Sequence, residues 1–226
     1  MCIRDSIWVS VVGIALIFFG SKGYADTVIS VADFGLKPDT RENAVAYVQK
    51  AIEACRGKEP VTLVFPEGRY DFWPQYAHEK NYYETNTYDV FPKRLAMLFE
   101  GLHNITVDGN GSQFIMHDRI QPITVENCDG VTLKNFSIDW DIPLTAQARV
   151  TKVGSDFFEI EINVLESPYI IEDGKLVFVG EGWKSALGSM IEFESDTHFV
   201  VPGTGDLVLG RNWRDYTAVS PRYGIV

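Results

Sequence analysis

Cysteine is nearly absent from this 226-residue sequence, with only three, and histidine is nearly as scarce at four. A chain of this length can bury a core without covalent staples, so no disulfide framework is expected. The histidines His78, His103, His117 and His198 are scattered, without the short spacings of a zinc site, and neither a metal nor a cofactor is expected. Positive charge is short as well: 20 Lys and Arg face 31 Asp and Glu, for a net charge of −11. A phosphate-binding surface needs clustered basic residues, so nucleic acid is not an expected partner. Nor is there an apolar run of the roughly 20 residues that a spanning helix needs.

The nearest approach to one, "IWVSVVGIALIFF" from Ile7 to Phe19, is followed by Gly23-Tyr24-Ala25. Small residues at the two positions that a signal peptidase reads predict a signal peptide over 7–25. Cleavage after Ala25 then leaves an exported chain, periplasmic or extracellular, with no membrane association. The first six residues, "MCIRDS", lack the basic start of a signal peptide and resemble translated sequencing adapter. Residues 1–6 are set aside as an artefact, and Cys2 with them. Of the two remaining cysteines, Cys55 falls on the apolar stripe of a helix, which predicts a buried thiol rather than a bridge to Cys128.

What is present is mostly strand pattern. "VISVADF" alternates as a half-buried strand does. Asp39 stands three residues before Glu42, in the manner of a capping box. Ala44, Val45, Val48, Ala51, Ile52 and Cys55 follow at helical spacing, and Gly57 marks the stop. "VTLVF" reads as a buried strand and "PEGRY" as a turn into another. Further on, "MLFEGLHNITVDGNG" (97–111) aligns with "ITVENCDGVTLKNFS" (123–137) at a constant offset of 26. Leu98, Phe99, Ile105 and Val107 then fall over Thr124, Val125, Val131 and Leu133, and Glu100 falls over Glu126. A repeat of that length, made of short strands and polar turns, is the pattern of a β-solenoid.

Strand, helix, strand and Pro-x-Gly-x-Tyr resemble the entrance of a pectin-lyase-like right-handed parallel β-helix, where the helix covers the open end of the stack. The expected class is therefore all-β, with an N-terminal capping helix and the first part of the β-helix over 26–144. After Pro143 the rhythm changes. "AQARVTKVGSDFFEIEINV" alternates around Gly154-Ser155 like a hairpin, and short strands with Gly-rich turns continue. Residues 145–226 are expected to form a β-barrel or sandwich inserted into, or following, the solenoid. "SPRYGIV" at the end offers no closing cap, so the chain is expected to be the front portion of a longer enzyme. Alone, it should be poorly soluble and catalytically silent.

Several blocks carry a family resemblance: "GLKPDTRENAVAYVQKAIEAC", "LVFPEGRYDFWPQ", "LHNITVDGNGSQFIMHDRIQPITVENC", "KNFSIDWDIPLTAQA", "SPYIIEDGKLVFVGEGWKS" and "VVPGTGD". Together they resemble glycoside hydrolase family 110, the exo-acting α-1,3-galactosidases. The resemblance implies a β-helix with β-barrel insertions. It also implies hydrolysis of terminal α-1,3-linked galactose, as in a blood group B epitope, with inversion and without a metal. The partner implied is a galactose-terminated oligosaccharide or glycoconjugate. Two other readings stay open: a non-catalytic glycan-binding β-helix or adhesin, and another β-helix enzyme such as a polygalacturonase or lyase.

Inverting hydrolysis needs an acid and a base about 6.5–9.5 Å apart. Asp139 and Asp141 flank Trp140, and at i and i+2 of a strand they share a face with Cβ atoms about 7 Å apart. The resemblance implies that the catalytic acids lie on later coils, beyond Val226, so the catalytic residues stay unassigned. Asp139, Trp140 and Asp141 are substrate-binding candidates, with turn-amide bonding at the exit of a coil as the plainer alternative. His117 and Asp118 of "MHDR" are candidates for sugar hydroxyls, and Arg119 for pairing with an acid, with a hydrogen-bonded loop between coils as the plainer and favoured reading. The loop from Asp71 to Phe91, with Trp73, Tyr76, Tyr82, Tyr83 and Tyr88, reads as a stacking rim or a packed seal, and Trp183 poses the same choice.

Overall fold

The structure, a computed structural model, describes residues 27–82, 92–202, 207–208 and 223–225. The expected signal peptide, the "MCIRDS" start, Tyr83 and Tyr88 lie outside the described residues. Among the described residues no helix is long and apolar enough to cross a membrane.

The first strand, β1 (Thr27–Ser30), is shorter than the alternation of "VISVADF" predicts, because a 3-10 turn takes over at Val31–Phe34. Ser30 and Asp33 close that turn reciprocally: the Ser30 hydroxyl accepts from the Ala32 amide, and the Asp33 carboxylate accepts from the Ser30 amide. Helix α1 (Val45–Cys55) follows. Its buried face is Val45, Val48, Ala51, Ile52 and Cys55, the stripe read from the spacing. The expected cap is not used. Asp39 instead turns in a left-handed conformation, φ 61°, and accepts from the Arg69 amide at 2.9 Å. Asn43 takes the capping role, its side-chain oxygen accepting from the amides of Val45 and Trp73. One residue thereby ties the helix start to a strand thirty residues away. Gly57, at φ 75°, ends the helix in the left-handed conformation that glycine adopts without a Cβ penalty.

Strands β2 (Val61–Val64), β3 (Arg69–Phe72), β4 (His78–Lys80), β5 (Lys93–Glu100), β6 (His103–Met116), β7 (Gln121–Glu126) and β8 (Asp129–Trp140) complete this part. β1, β2, the first half of β6 and β8 pair in parallel, so that Ile29, Leu63, Val107 and Leu133 form one row. β3 pairs with the second half of β6, setting Tyr70, Phe114 and Ile138 in a second row and Phe72, Met116 and Trp140 in a third. β5 and β7 pair in parallel beside them, with β4 antiparallel on the β5 edge.

The 26-residue repeat is the register itself. Leu98 pairs with Thr124, Phe99 with Val125, Ile105 with Val131 and Val107 with Leu133. The corners repeat as well: Gly101 and Asn127, then Asn104 and Gly130, all have positive φ. Only Gly or Asn take such corners readily, and a Cβ on Gly130 would lie 2.7 Å from Asn104 Oδ1. "DGNGS" (108–112) forms a bulge in β6. The pairing moves from Asp108–Lys134 to Ser112–Phe136 across it, absorbing two extra residues.

Inside the stack the aromatic rings continue the rows. Phe114 lies 4.7 Å from both Phe65 and Phe136, and 5.6 Å from Phe72. Burying a side chain of that size contributes about 1.5–3 kcal/mol. Cys55 is buried and Cys128 half-buried, both as free thiols. Burial pushes the Cys55 thiol up to about 11, so it is inert at neutral pH.

Beyond Pro143 the pairing becomes antiparallel. β9 (Ala148–Val153) and β10 (Phe158–Asn163) form the hairpin expected around Gly154-Ser155, closed by the Gly154 amide on the Phe157 carbonyl at 2.7 Å. β11 (Tyr169–Glu172), β12 (Lys175–Gly180) and β13 (Trp183–Ala186) form a second sheet. Ile160, Ile162 and Leu176 make a small core of their own there.

Candidate functional site

Alternation puts Tyr70 and Phe72 into the stack, so Arg69 and Asp71 share the opposite face of β3. Arg69 reaches along that face to Asp71, with Nε 3.0 Å and Nη2 2.6 Å from its carboxylate. The same guanidinium donates to Asp141 at 2.7 Å. Arg41 stands 3.7 Å from both acids. Asp71 is 1% exposed, and a carboxylate there needs partners.

The third partner is His117, itself 3% exposed. Its Nε2 lies 2.9 Å from Asp71 and its Nδ1 2.8 Å from Glu181, on the turn between β12 and β13. Trp73 stacks flat on the imidazole, with centroids 3.8 Å apart and planes at 10°. Burial raises the Asp71 carboxyl, but hydrogen bonds and charge from Arg69 and His117 together outweigh it and hold the group below its ordinary 3.8. The Arg69 guanidinium is shifted upward, chiefly by its bond to Asp71.

Asp118 follows with φ 56°. Its carbonyl accepts from the Trp140 indole at 3.2 Å, and its carboxylate lies against Gly182, where a Cβ would stand 2.4 Å from Oδ2. Asp139 accepts from the amide of its neighbour Trp140 at 2.8 Å. Among the described residues Arg119 pairs with no acid and instead lies over the Trp183 ring, 5.9 Å from its centroid. Beside this group runs an open cleft of about 490 Å³, lined by Trp73, Pro74, Tyr76, Glu79, Arg94 and Asp118 among others.

The five candidates thus gather at one edge of the stack, in two roles. His117 and Asp141 belong to the ion-pair cluster, whereas Asp118, Asp139 and Trp140 form hydrogen bonds around the turn. In the loop that follows β4, the Tyr82 hydroxyl donates to Glu126. Sequence reasoning missed Arg41, Arg69, Asp71 and Glu181. The signal for Arg69 and Asp71 was present, as opposite charges two apart on a strand share a face. No local signal marks Glu181, which meets His117 across 64 residues.

Asp71, His117 and Asp141 each offer a ligand atom within 4.8 Å of the others. Two arginines already neutralise the carboxylates, and an ion would have to displace Arg69 from both. The donor set fits an ion-pair cluster and not a metal centre.

A family model described as GLAA-B beta-barrel domain I matches residues 146–223. The alpha-1,3-galactosidase B of Bacteroides thetaiotaomicron is 57% identical over 202 residues, which are 89% of this chain and 32% of that protein. The alpha-1,3-galactosidase A of Shewanella woodyi is 35% identical over 74% of the chain and 28% of its own length. The alpha-1,3-galactosidase B of Phocaeicola vulgatus is 37% identical over 84% and 31%. The chain spans about a third of the length of the curated relatives it matches.

Proposed function

Since the chain belongs to the family of the α-1,3-galactosidases A and B, we propose that it serves the removal of terminal α-1,3-linked galactose from an oligosaccharide or glycoconjugate, with inversion at the anomeric carbon. The observation that carries this reading is 57% identity over 89% of the chain to one such enzyme. A glycan-binding adhesin or a different β-helix enzyme has no comparable support. Export to the periplasm or beyond belongs to the same proposal, resting on the apolar run and Gly-Tyr-Ala.

The architecture proposed is a right-handed parallel β-helix over 26–144 followed by a β-barrel unit over 145–226. Parallel pairing at an offset of 26, positive-φ corners at the same offset and α1 against the first strands support the first. The match of the barrel-domain family over 146–223 supports the second. In this reading Trp140, Asp139, Asp141, His117 and Asp118 shape the sugar-facing edge and do not supply the acid and base. Asp141 is matched by Arg69, and Asp139 bonds its own backbone. Such engagement suits residues that line or hold a pocket, whereas an inverting pair must leave room for a water between them.

The test is a chimera. The matching stretch of the Bacteroides thetaiotaomicron enzyme is replaced by this chain's residues, and a B-type α-1,3-galactosyl trisaccharide is followed by NMR. Released galactose should first appear as the β anomer. A folded chimera that binds the trisaccharide but never cleaves it would sink the proposal in favour of a glycan-binding role.

A further inference from the structure

His117 sits where a neutral imidazole cannot satisfy its surroundings. Both ring nitrogens face carboxylate oxygens, Nε2 at 2.9 Å from Asp71 and Nδ1 at 2.8 Å from Glu181. A neutral ring has one N–H and one lone pair, so one nitrogen would face an anion lone pair to lone pair. Only the imidazolium donates to both. The charge of the cluster agrees. Asp71, Asp141 and Glu181 bring three negative charges, and Arg41 and Arg69 bring two positive ones. A proton on each nitrogen of His117 closes the balance. Asp118 and Arg119, next in the chain, face Gly182 and Trp183 instead.

The two carboxylates come from different parts of the fold. Asp71 lies on β3 in the parallel stack, and Glu181 on the β12–β13 turn of the antiparallel part. The ring also stacks on Trp73, which lines the cleft. Asp118, another lining residue, is in contact with Gly182. We infer that His117 is a charged pin: held as an imidazolium between Asp71 and Glu181, it positions the 181–183 turn and the Trp73 platform against the edge of the stack. The pin is a positioning device, independent of whether the cleft takes galactose. Losing one of its protons leaves it holding one carboxylate instead of two, and the turn is freed.

Histidine NMR on the whole chain tests this. With 15N-labelled rings, His117 should show two protonated nitrogens at neutral pH, while the exposed His78, His103 and His198 serve as internal references. The amide signals of Asp118 and Gly182 should move with pH along the same titration as the His117 ring. In Glu181→Gln, the imidazolium signature should disappear at a lower pH than in the parent chain, and the Gly182 amide should no longer follow it. Because Glu181 is on a part-exposed turn, the substitution leaves the buried core untouched. A bare nitrogen on His117 at pH 7, or a Gly182 signal indifferent to the His117 titration, would overturn the inference. Neither result depends on galactosidase activity, so the proposed function stands or falls separately.

Discussion

Asp71 shows how a single residue acquires a structural duty from its burial. Its carboxylate has no exposed side chain and is held by Arg69 and His117. Removing one partner of such a group leaves the others uncompensated, at a cost of about 3–5 kcal/mol. Asp71→Asn should therefore lower the free energy of unfolding at pH 7 by that order, read as a fall in the urea midpoint equal to the loss divided by the m-value. The sign with pH follows from the depressed folded value. Because the folded group titrates below its ordinary 3.8, its stabilisation is complete above about pH 4 and is lost as pH falls through the folded value. The gap between parent and Asp71→Asn should close as unfolding is measured from pH 5 down to pH 2.5, and a constant gap would contradict this. Gly68 makes a second residue-scale case. A Cβ there would stand 2.4 Å from Pro38 Cβ, with φ at 147°. Gly68→Ala should destabilise by about 1–3 kcal/mol through overpacking, read from thermal unfolding.

At the scale of elements, parallel stacking at one register sets corresponding positions of successive strands over each other, charges included. Glu100 of β5 lies directly over Glu126 of β7, and like charges so placed repel. Lys80 of β4 answers both, at 2.7 Å and 2.8 Å. Its pull, with the Tyr82 hydroxyl, holds the Glu126 carboxyl below its ordinary value. Lys80→Met should lower the melting temperature at low salt, and the loss should shrink at 1 M salt as the repulsion is screened. A salt-independent loss would mean that Lys80 contributes by packing alone. The same stacking makes the rows of rings a shared core: Phe114 touches Phe65, Tyr70, Phe72 and Phe136. Phe114→Ala should cost about 3–5 kcal/mol, more than any truncation on the exposed face of β9.

Across the whole molecule, burial falls off along the stack. Leu63 and Val107 are buried, but Leu133, next in their row, is 40% exposed, and Val125 beyond buried Phe99 is 47% exposed. The described residues thus carry apolar rows that stop uncovered at β7 and β8. Uncovered strand edges and apolar rows favour association. Sedimentation velocity should give a sedimentation coefficient that rises with protein concentration, and a strictly monomeric profile across the range would contradict the expectation of poor solubility.

The sequence by itself determined the elements whose cause is local. The stripe Val45 to Cys55 gave its helix, the repeat at 26 gave the register, and Gly154-Ser155 gave its hairpin, because periodicity and turn chemistry act over a few residues. It also carried the family, through blocks spread along the chain. Where long-range partners compete, local signals failed. Asp39 left the helix cap for the Arg69 amide, Asn43 took its place by bonding across to Trp73, and "VADF" left the strand for a 3-10 turn. The site followed the same division. His117, Asp118 and Asp139–Asp141 were legible as polar residues at the end of strands, but only the tertiary structure joined Arg69, Asp71 and Glu181 to them. A buried charge is settled by whichever opposite charge the fold brings within about 3 Å, and sequence spacing does not encode that distance across 64 residues.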